Sequence, residues 1–193
     1  MKETRIYFVR HCEPDYTNHN DMLRPLTEKG ETDAVRVTEF FSDKEIDAVL
    51  SSPYIRAMDT VIGIADDIGK EVITDFDFRE RRVSDGSWVE NIGDFIRCQW
   101  ADFDYKLPEG ECLREVQERN LRALYRVVRD YAGKNVVIGS HGTALSTIVN
   151  FFDPKFGYEA FQKIVSKMPW VVELVYDGEC LLTMNEDVEL SDF

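Results

Sequence analysis

The chain has 193 residues, is 44% hydrophobic and carries a net charge of −14. Its length and composition are typical of one globular domain with a hydrophobic core, and they exclude a disordered chain. The acidic balance argues against nucleic acid and anionic membranes as partners. No apolar run approaches the roughly 20 residues that span a bilayer, and no signal-peptide core follows the N-terminus.

The first half of the chain alternates between strand and helix patterns. A continuous apolar run predicts a buried strand at residues 6–9, and a helix capped by Thr27 follows. Residues 46–50 predict a second strand, which ends at Ser-Ser-Pro. The next helix begins there and closes at Gly69. Residues 71–76 predict a third strand.

The second half continues the alternation and ends in a hairpin. Residues 111–131 have the apolar periodicity of an amphipathic helix, 135–140 read as a buried strand, and 143–152 as a further helix. Residues 170–185 predict a hairpin around Asp-Gly. The pattern indicates an α/β three-layer sandwich, with a mainly parallel central sheet, helices on both faces and an antiparallel edge that a homodimer could use.

One segment, at about 79–112, breaks this rhythm within what we expect to be a single domain over 1–193. Its periodicity is weak, and we interpret it as a lid-like excursion over one end of the sheet. Its aromatic residues are Trp88, Phe95, Trp100, Phe103 and Tyr105. They could cover a ring-bearing leaving group or pack the excursion onto the sheet. Three arginines, Arg79, Arg81 and Arg82, could select a second negative charge or pair with nearby acids.

Histidine and arginine recur where the predicted strands end. The first strand runs into Arg10 and His11, the second delivers Arg56 to the first turn of a helix, and the strand at 135–140 is followed by His141. Ligands of open parallel sheets bind at the carboxyl ends of the strands, where helix N-termini also favour anions. These side chains therefore predict a pocket for a dianionic phosphoryl group.

Five stretches in order carry a family resemblance. They are "RHCE", "PLTEKG", "SSPYIRAMDT", "PEGEC" and "VIGSHG". From residue 5 to about 152 the chain resembles the histidine phosphatase superfamily, the phosphoglycerate mutase-like proteins. The resemblance implies their fold and the phosphatase branch of their activities.

The resemblance also implies roles for individual residues. His11 would attack phosphorus and form a phosphohistidine, while Glu80 in "DFRERR" would protonate the leaving group and then activate water. Protonated His141 would hold phosphoryl oxygens, as would Arg10 and Arg56. The remaining candidates for phosphate binding are Thr17, Asn18 and Gly142.

This chain departs from the family pattern around the first motif. Cys12 replaces the usual glycine and would strain a backbone that needed positive φ. A short following loop brings Arg24 closer to the pocket. Cys12 is an unsuitable nucleophile because the C-x5-R pattern would place Asn18 where arginine is required, so a packing role is favoured.

A metal site is opposed by arginines beside the histidines, although His11, His141 and Glu80 are permissible ligands. The four cysteines form no CxxC pair and fit a reducing cytoplasm. We expect a cytoplasmic, metal-independent phosphomonoesterase that needs no cofactor and acts on a small phosphate ester. The alternatives are phosphoglycerate mutase-type transfer and a non-catalytic phospho-ligand binder.

Overall fold

The computed structural model describes residues 2–85, 90–186 and 188. Its elements in chain order are β1 (Thr4–Arg10), α1 (Glu28–Phe41), β2 (Ala48–Ser51), α2 (Ile55–Asp67), β3 (Ile73–Thr74), a 3₁₀ turn (Phe76–Phe78), α3 (Ile92–Ala101), α4 (Leu113–Asp130), β4 (Asn135–Ser140), α5 (Gly142–Phe152), α6 (Tyr158–Ile164), β5 (Trp170–Asp177) and β6 (Cys180–Asn185).

The strands form one six-stranded sheet in the order β3-β2-β4-β1-β5-β6. β1 and β2 both pair in parallel with β4, and β3 pairs in parallel with β2. The hairpin strands β5 and β6 complete the other edge with antiparallel pairing. The predicted α/β sandwich with a mainly parallel sheet and an antiparallel edge is therefore confirmed.

Alternate residues of β1 enter two separate hydrophobic clusters. Ile6 and Phe8 pack with residues of α4, α5 and α6 on one face of the sheet. Tyr7 and Val9 pack with residues of α1 and α2 on the other. This two-residue alternation makes three layers, because successive side chains of a strand point to opposite faces.

A glycine in β4 lets α2 approach the sheet closely. A Cβ at Gly139 would lie 2.7 Å from the carbonyl oxygen of Ala57 and 2.6 Å from Oγ of Ser51. Only glycine leaves room for this contact. The contact matters because the first turn of α2 carries Arg56 and must meet the end of β4.

The excursion contains a helix that its weak periodicity did not predict. α3 ends near Trp100, whose ring lies 5.6 Å from Phe103 and 5.4 Å from Phe161 on α6. For Trp100 and Phe103 the structure therefore favours the packing alternative. Trp88 lies outside the described residues.

The third predicted strand is much shorter than residues 71–76. Only Ile73–Thr74 pairs with β2, and the 3₁₀ turn begins two residues later. In the part of the chain that the structure describes, no helix is both long and apolar enough to cross a bilayer.

Candidate active site

The ends of β1 and β4 bring two of the predicted residues together. Arg10 pairs with Ser140 in the parallel ladder, and the backbone N–H of His11 donates to the carbonyl of Ser140 at 3.0 Å. This register places His11 beside His141, with ring centroids 5.3 Å apart. Sequence reasoning predicted this convergence.

A backbone carbonyl fixes the tautomer of His11. Nδ1 lies 2.8 Å from the carbonyl oxygen of Cys12, which can only accept a hydrogen bond. Nδ1 therefore carries the proton and Nε2 carries the lone pair. The backbone N–H of Cys12 donates in turn to Oγ1 of Thr60 at 3.0 Å, which holds this turn in place.

Cys12 occupies the position of the expected glycine without backbone strain. Among the described residues other than glycine, positive φ occurs at Asn91 and Glu109, and Cys12 is not among them. Its side chain is fully buried in the cluster of α1 and α2, and burial raises the pKa of the thiol to about 12. A buried neutral thiol agrees with the packing role expected for Cys12.

Ser52, which the sequence analysis gave no role at the site, orients His141. Nε2 of His141 lies 2.7 Å from Oγ of Ser52, and the same oxygen accepts from the backbone N–H of Tyr54 at 3.3 Å. The hydroxyl of Ser52 can donate to Nε2 or accept from it, so this contact orients the ring in either tautomer. Among the described residues this buried Nδ1 has no hydrogen-bond partner.

Burial and positive neighbours keep both rings neutral in the free protein. Burial, followed by the charge of Arg56, lowers the pKa of His11 well below its usual value. The same two causes lower the pKa of His141. The expected protonation of His141 is therefore opposed in the free protein, because a cation there would be desolvated beside other cations.

Arg10 reaches the site with part of its guanidinium unused. Its Nη1 donates to the carbonyls of Ile164 and Lys167 at 2.6 and 3.1 Å, whereas its buried Nε has no partner among the described residues. A Cβ on Gly142 would lie 3.1 Å from that Nε. The glycine therefore leaves room for the guanidinium against the start of α5.

Arg56 is almost completely buried, with 3% of its surface exposed, and an acid from the loop between β1 and α1 covers it. Its Nη1 donates to the main-chain oxygen of Asp21, and its Nη2 lies 3.2 Å from Oδ1 of the same residue. The guanidinium also lies over the ring of Tyr54, 5.1 Å from the centroid. Asp21 was not among the residues that the sequence suggested.

The carboxylate of Glu80 is bound at the first turn of α5. Oε2 accepts from the backbone N–H of Thr143 at 3.0 Å, and Oε1 accepts from those of Ala144 and Arg81 at 3.2 and 2.6 Å. Glu80 thus lies next to the helix that follows His141. Two of the N–H groups that the helix offers to an anion are occupied by this side chain.

The charge of Glu80 also affects the pKa of the predicted phosphate ligands Arg10 and Arg56. Burial lowers the pKa of Arg10 and of Arg56, and the nearby carboxylate of Glu80 acts against that lowering in both. The acid candidate and the two arginines therefore share one electrostatic environment.

A buried arginine on α4 holds the segment that carries Glu80. Arg119 donates through Nη1 to the carbonyls of Asp77 and Arg79 at 2.7 and 2.8 Å, and through Nη2 to that of Glu80 at 3.2 Å. Its Nε and Nη2 also bind the carboxylate of Glu111 at 2.8 and 3.1 Å. We call this the Arg119–Glu111 clamp. Glu111 lies in the motif "PEGEC", and this motif is the sequence signal that could have pointed to the clamp.

The side chains of Thr17 and Asn18 make local contacts. Thr17 is exposed, and its N–H and Oγ1 both donate to Oδ1 of Asp15. Oδ1 of Asn18 accepts from the N–H of Asn20 at 2.9 Å, and its main-chain oxygen accepts from Arg24. Their suggested role in phosphate binding stays a prediction.

Protein groups hold Arg79 and Arg81 through their side chains and Arg82 through its backbone. Nη2 of Arg79 donates to Oε1 of Glu111 at 2.6 Å. Arg81 is buried and donates to Gln99, while the backbone N–H of Arg82 donates to Oε2 of Glu111. Pairing with a nearby acid, one of the two alternatives, therefore describes Arg79 in the free protein. Within the described ranges, no group of three or more histidine, cysteine, aspartate or glutamate side chains could hold a metal ion.

Comparison with known proteins identifies the family of this chain and several relatives. The family model of the histidine phosphatase superfamily (branch 1) matches residues 6–185. A relative from Cronobacter sakazakii, named "Probable phosphoglycerate mutase GpmB", is 31% identical over 157 residues, which are 76% of this chain and 73% of the relative. A relative from Hydrogenobacter thermophilus, named "Putative phosphoserine phosphatase 2", is 26% identical over 186 residues, or 91% of each chain.

The fold also matches a solved structure. The native mycobacterial glucosyl-3-phosphoglycerate phosphatase superimposes with a TM-score of 0.74 at 19% identity, covering 98% of this chain and 100% of the other. At that identity the likeness speaks for the fold. The family match over residues 6–185 goes further, and this chain belongs to the histidine phosphatase superfamily.

Proposed function

We propose that this chain is a phosphomonoesterase, which hydrolyses a small phosphorylated metabolite through a phosphohistidine on His11. The observation that carries the proposal is the set of buried groups around that ring. Nε2 of His11 carries a lone pair, and two polar atoms of its neighbours, Nε of Arg10 and Nδ1 of His141, are buried without a hydrogen-bond partner among the described residues. Buried polar atoms without partners are uncommon, and a phosphoryl group would pair with Nε of Arg10 and with a protonated Nδ1 of His141.

In the first step, Nε2 of His11 attacks phosphorus with its lone pair. The P–N bond forms as the bond from phosphorus to the ester oxygen breaks. Glu80 enters this step as the carboxylic acid and gives its proton to the leaving oxygen. The hydrogen bond from Nδ1 of His11 to Cys12 keeps the attacking nitrogen oriented throughout.

In the second step, water replaces the histidine. Glu80, now a carboxylate, takes a proton from water while the water oxygen attacks phosphorus. The P–N bond breaks, inorganic phosphate leaves, and the acid form of Glu80 is restored. The Arg119–Glu111 clamp supports both steps by holding the segment that carries Glu80.

The charge that develops on the phosphoryl oxygens is met by groups already in place. Arg10, Arg56 and His141 supply side-chain donors, and Gly142 supplies a backbone N–H at the start of α5. Because these donors are fixed before the substrate arrives, little reorganisation is needed during the reaction. A bound dianion would also favour protonation of His141, which burial opposes in the free protein. No metal ion or cofactor is needed in this scheme.

Phosphoglycerate mutase-type transfer is the second candidate, and the relative from Cronobacter sakazakii favours it. A mutase needs the phosphohistidine to pass its phosphoryl group to a sugar acid instead of water. Assay of phosphoglycerate with and without a bisphosphoglycerate primer separates the two. Primer-dependent isomerisation with little release of inorganic phosphate would replace our proposal.

The proposal is tested by following release of inorganic phosphate from p-nitrophenyl phosphate. Wild type should turn over, and His11→Ala should lose turnover while keeping the circular dichroism of the folded chain. His19→Ala is the matched control, because His19 is exposed on the loop after β1. Turnover that survives in His11→Ala would contradict the proposal.

A further inference from the structure

Asp21 binds two arginines at the candidate site at once. Its Oδ1 lies 2.9 Å from Nη1 of Arg24 and 3.2 Å from Nη2 of Arg56, and its main-chain oxygen accepts from Nη1 of Arg56. None of the motifs that carry the family resemblance includes Asp21. Its carboxylate therefore occupies part of the surface that Arg56 would offer to phosphate.

The two partners of this ion pair differ in exposure. The side chain of Arg56 is 3% exposed, whereas that of Asp21 is 47% exposed. The carboxylate can turn into water at little cost in desolvation, but the guanidinium would have to leave the protein interior. A competing anion would therefore displace Asp21 and leave Arg56 in position.

The main chain beside Asp21 is anchored independently of its carboxylate. The backbone N–H of Ile55, at the start of α2, donates to the carbonyl of Met22 at 3.1 Å. Nε of Arg24 donates to the carbonyl of Asn18 at 2.9 Å. These contacts and the main-chain bond to Arg56 would remain when the carboxylate of Asp21 turns away.

We propose that Asp21 is a resident counter-ion of the phosphate site, which occupies Arg56 in the free protein and is displaced when a phosphoryl group binds. The inference rests on the proposed function, because it takes Arg56 as a phosphate ligand. Displacement weakens the binding of every phosphorylated species, including the product. Asp21 therefore favours release of inorganic phosphate.

The charges around the site give the direction of the effect. Arg10, Arg24 and Arg56 face the carboxylates of Asp21 and Glu80, which leaves one uncompensated positive charge when both histidines are neutral. Asp21→Asn raises that charge by one and keeps the size of the side chain. Tighter binding of a dianion follows from Coulomb attraction.

The test is calorimetric titration of the purified chain with inorganic phosphate at fixed ionic strength and pH. Asp21→Asn should bind phosphate about tenfold more tightly than wild type, and Asp21→Ser should change affinity in the same direction. Asp43→Asn removes an exposed charge at the end of α1 and should bind like wild type. Thermal midpoints in phosphate-free buffer check that each variant is folded.

Equal or weaker binding of phosphate by folded Asp21→Asn and Asp21→Ser would overturn the role of Asp21. That result would leave the proposed function standing wherever wild type still binds phosphate and turns over p-nitrophenyl phosphate. Failure of wild type and both variants to bind phosphate would overturn the counter-ion and the phosphate site together.

Discussion

Two buried arginines, Arg10 and Arg119, differ in how completely the protein uses them. Arg119 is 4% exposed, and its guanidinium makes five hydrogen bonds, to Glu111 and to three carbonyls of the segment before and at Glu80. Arg10 is 7% exposed and leaves its buried Nε without a partner among the described residues. A guanidinium has five N–H donors, so Arg119 is saturated and Arg10 is not.

The difference separates a structural arginine from one available to a ligand. Leaving a buried donor unpaired costs free energy, so the sites where a protein tolerates it are candidates for ligand binding. Nδ1 of His141 meets the same criterion. Glu80 links the two regions, because its carbonyl is held by Arg119 while its carboxylate lies at the start of α5 beside His141.

The largest expected effect concerns Glu80, whose carbonyl is held by Arg119 and whose carboxylate is the proposed acid. Glu80→Gln keeps the size and removes the acid, so it should slow alkyl phosphates by about 10²–10⁴-fold and aryl phosphates much less, because an aryl oxide leaves without protonation. The measurement is kcat/KM for glycerol phosphate and for p-nitrophenyl phosphate.

The control for Glu80 is Asp77, an alternative acid in the same segment. Asp77 is engaged with Arg126 at 3.1 Å, so Asp77→Asn should leave the ratio of alkyl to aryl rates unchanged. If Asp77→Asn abolishes alkyl turnover and Glu80→Gln does not, the acid has been misassigned.

Substituting the two arginines tests the comparison itself. Arg10→Met should lower kcat/KM by about 10²–10³-fold, since a donor to the transition state is lost. Its free energy of unfolding should change less than that of Arg119→Met, because Arg10 forms no ion pair in the described structure. Arg119→Met should lose about 3–5 kcal/mol, because it removes a buried ion pair to Glu111 and the hydrogen bonds to the carbonyls of the segment that carries Glu80.

Denaturant unfolding and kcat/KM are measured on both variants. Wild-type stability of Arg119→Met would contradict the structural role of Arg119. Wild-type kcat/KM of Arg10→Met would contradict the role of Arg10 in binding the substrate.

The pH dependence of stability should reflect the two neutral histidines. Their pKa values in the folded chain lie well below the ordinary value of 6.5, so below that pH the unfolded chain binds protons that the folded chain does not. Stability should therefore fall as pH drops below 6.5, by about 1.4 kcal/mol per pH unit for each histidine, and be independent of them well above it. His141→Asn should reduce this slope between pH 6.5 and 5. An unchanged slope would show that His141 is ordinarily protonated in the folded chain.

Removal of metal ions is expected to have no effect on turnover. EDTA should leave turnover unchanged, because arginine, histidine and backbone N–H groups supply the positive charge in the proposed mechanism. Activity that disappears in EDTA and returns only with Zn²⁺ or Mg²⁺ would overturn this expectation.

The sequence predicted the strand ends well because they depend on local patterns. Apolar runs located β1, β2 and β4, and the residues that follow them were predicted to converge, as His11 and His141 do. The third strand was predicted too long because side chains compete with the sheet: Asp75 accepts from the N–H of Asp77 and starts a 3₁₀ turn. α3 escaped prediction because its segment lacks a clear apolar period.

The residues that sequence reasoning missed act over long separations. Ser52 meets His141 across 89 positions, and Arg119 meets Asp77 across 42. A local sequence pattern cannot predict such a contact, because the contact depends on the fold. Ser52 and Glu111 lie inside quoted motifs, whereas Asp21 lies in a loop that carries none.

The central claim is that His11 takes the phosphoryl group, and mapping the covalent intermediate tests it most directly. The protein is mixed with ³²P-labelled phosphate ester, and the reaction is quenched in alkali, which preserves phosphohistidine. The labelled peptide is then identified. We predict label on the peptide containing His11, no label in His11→Asn, and label at His11, formed more slowly, in His141→Asn. Label on the peptide of His141, or full labelling of His11→Asn, would contradict the account.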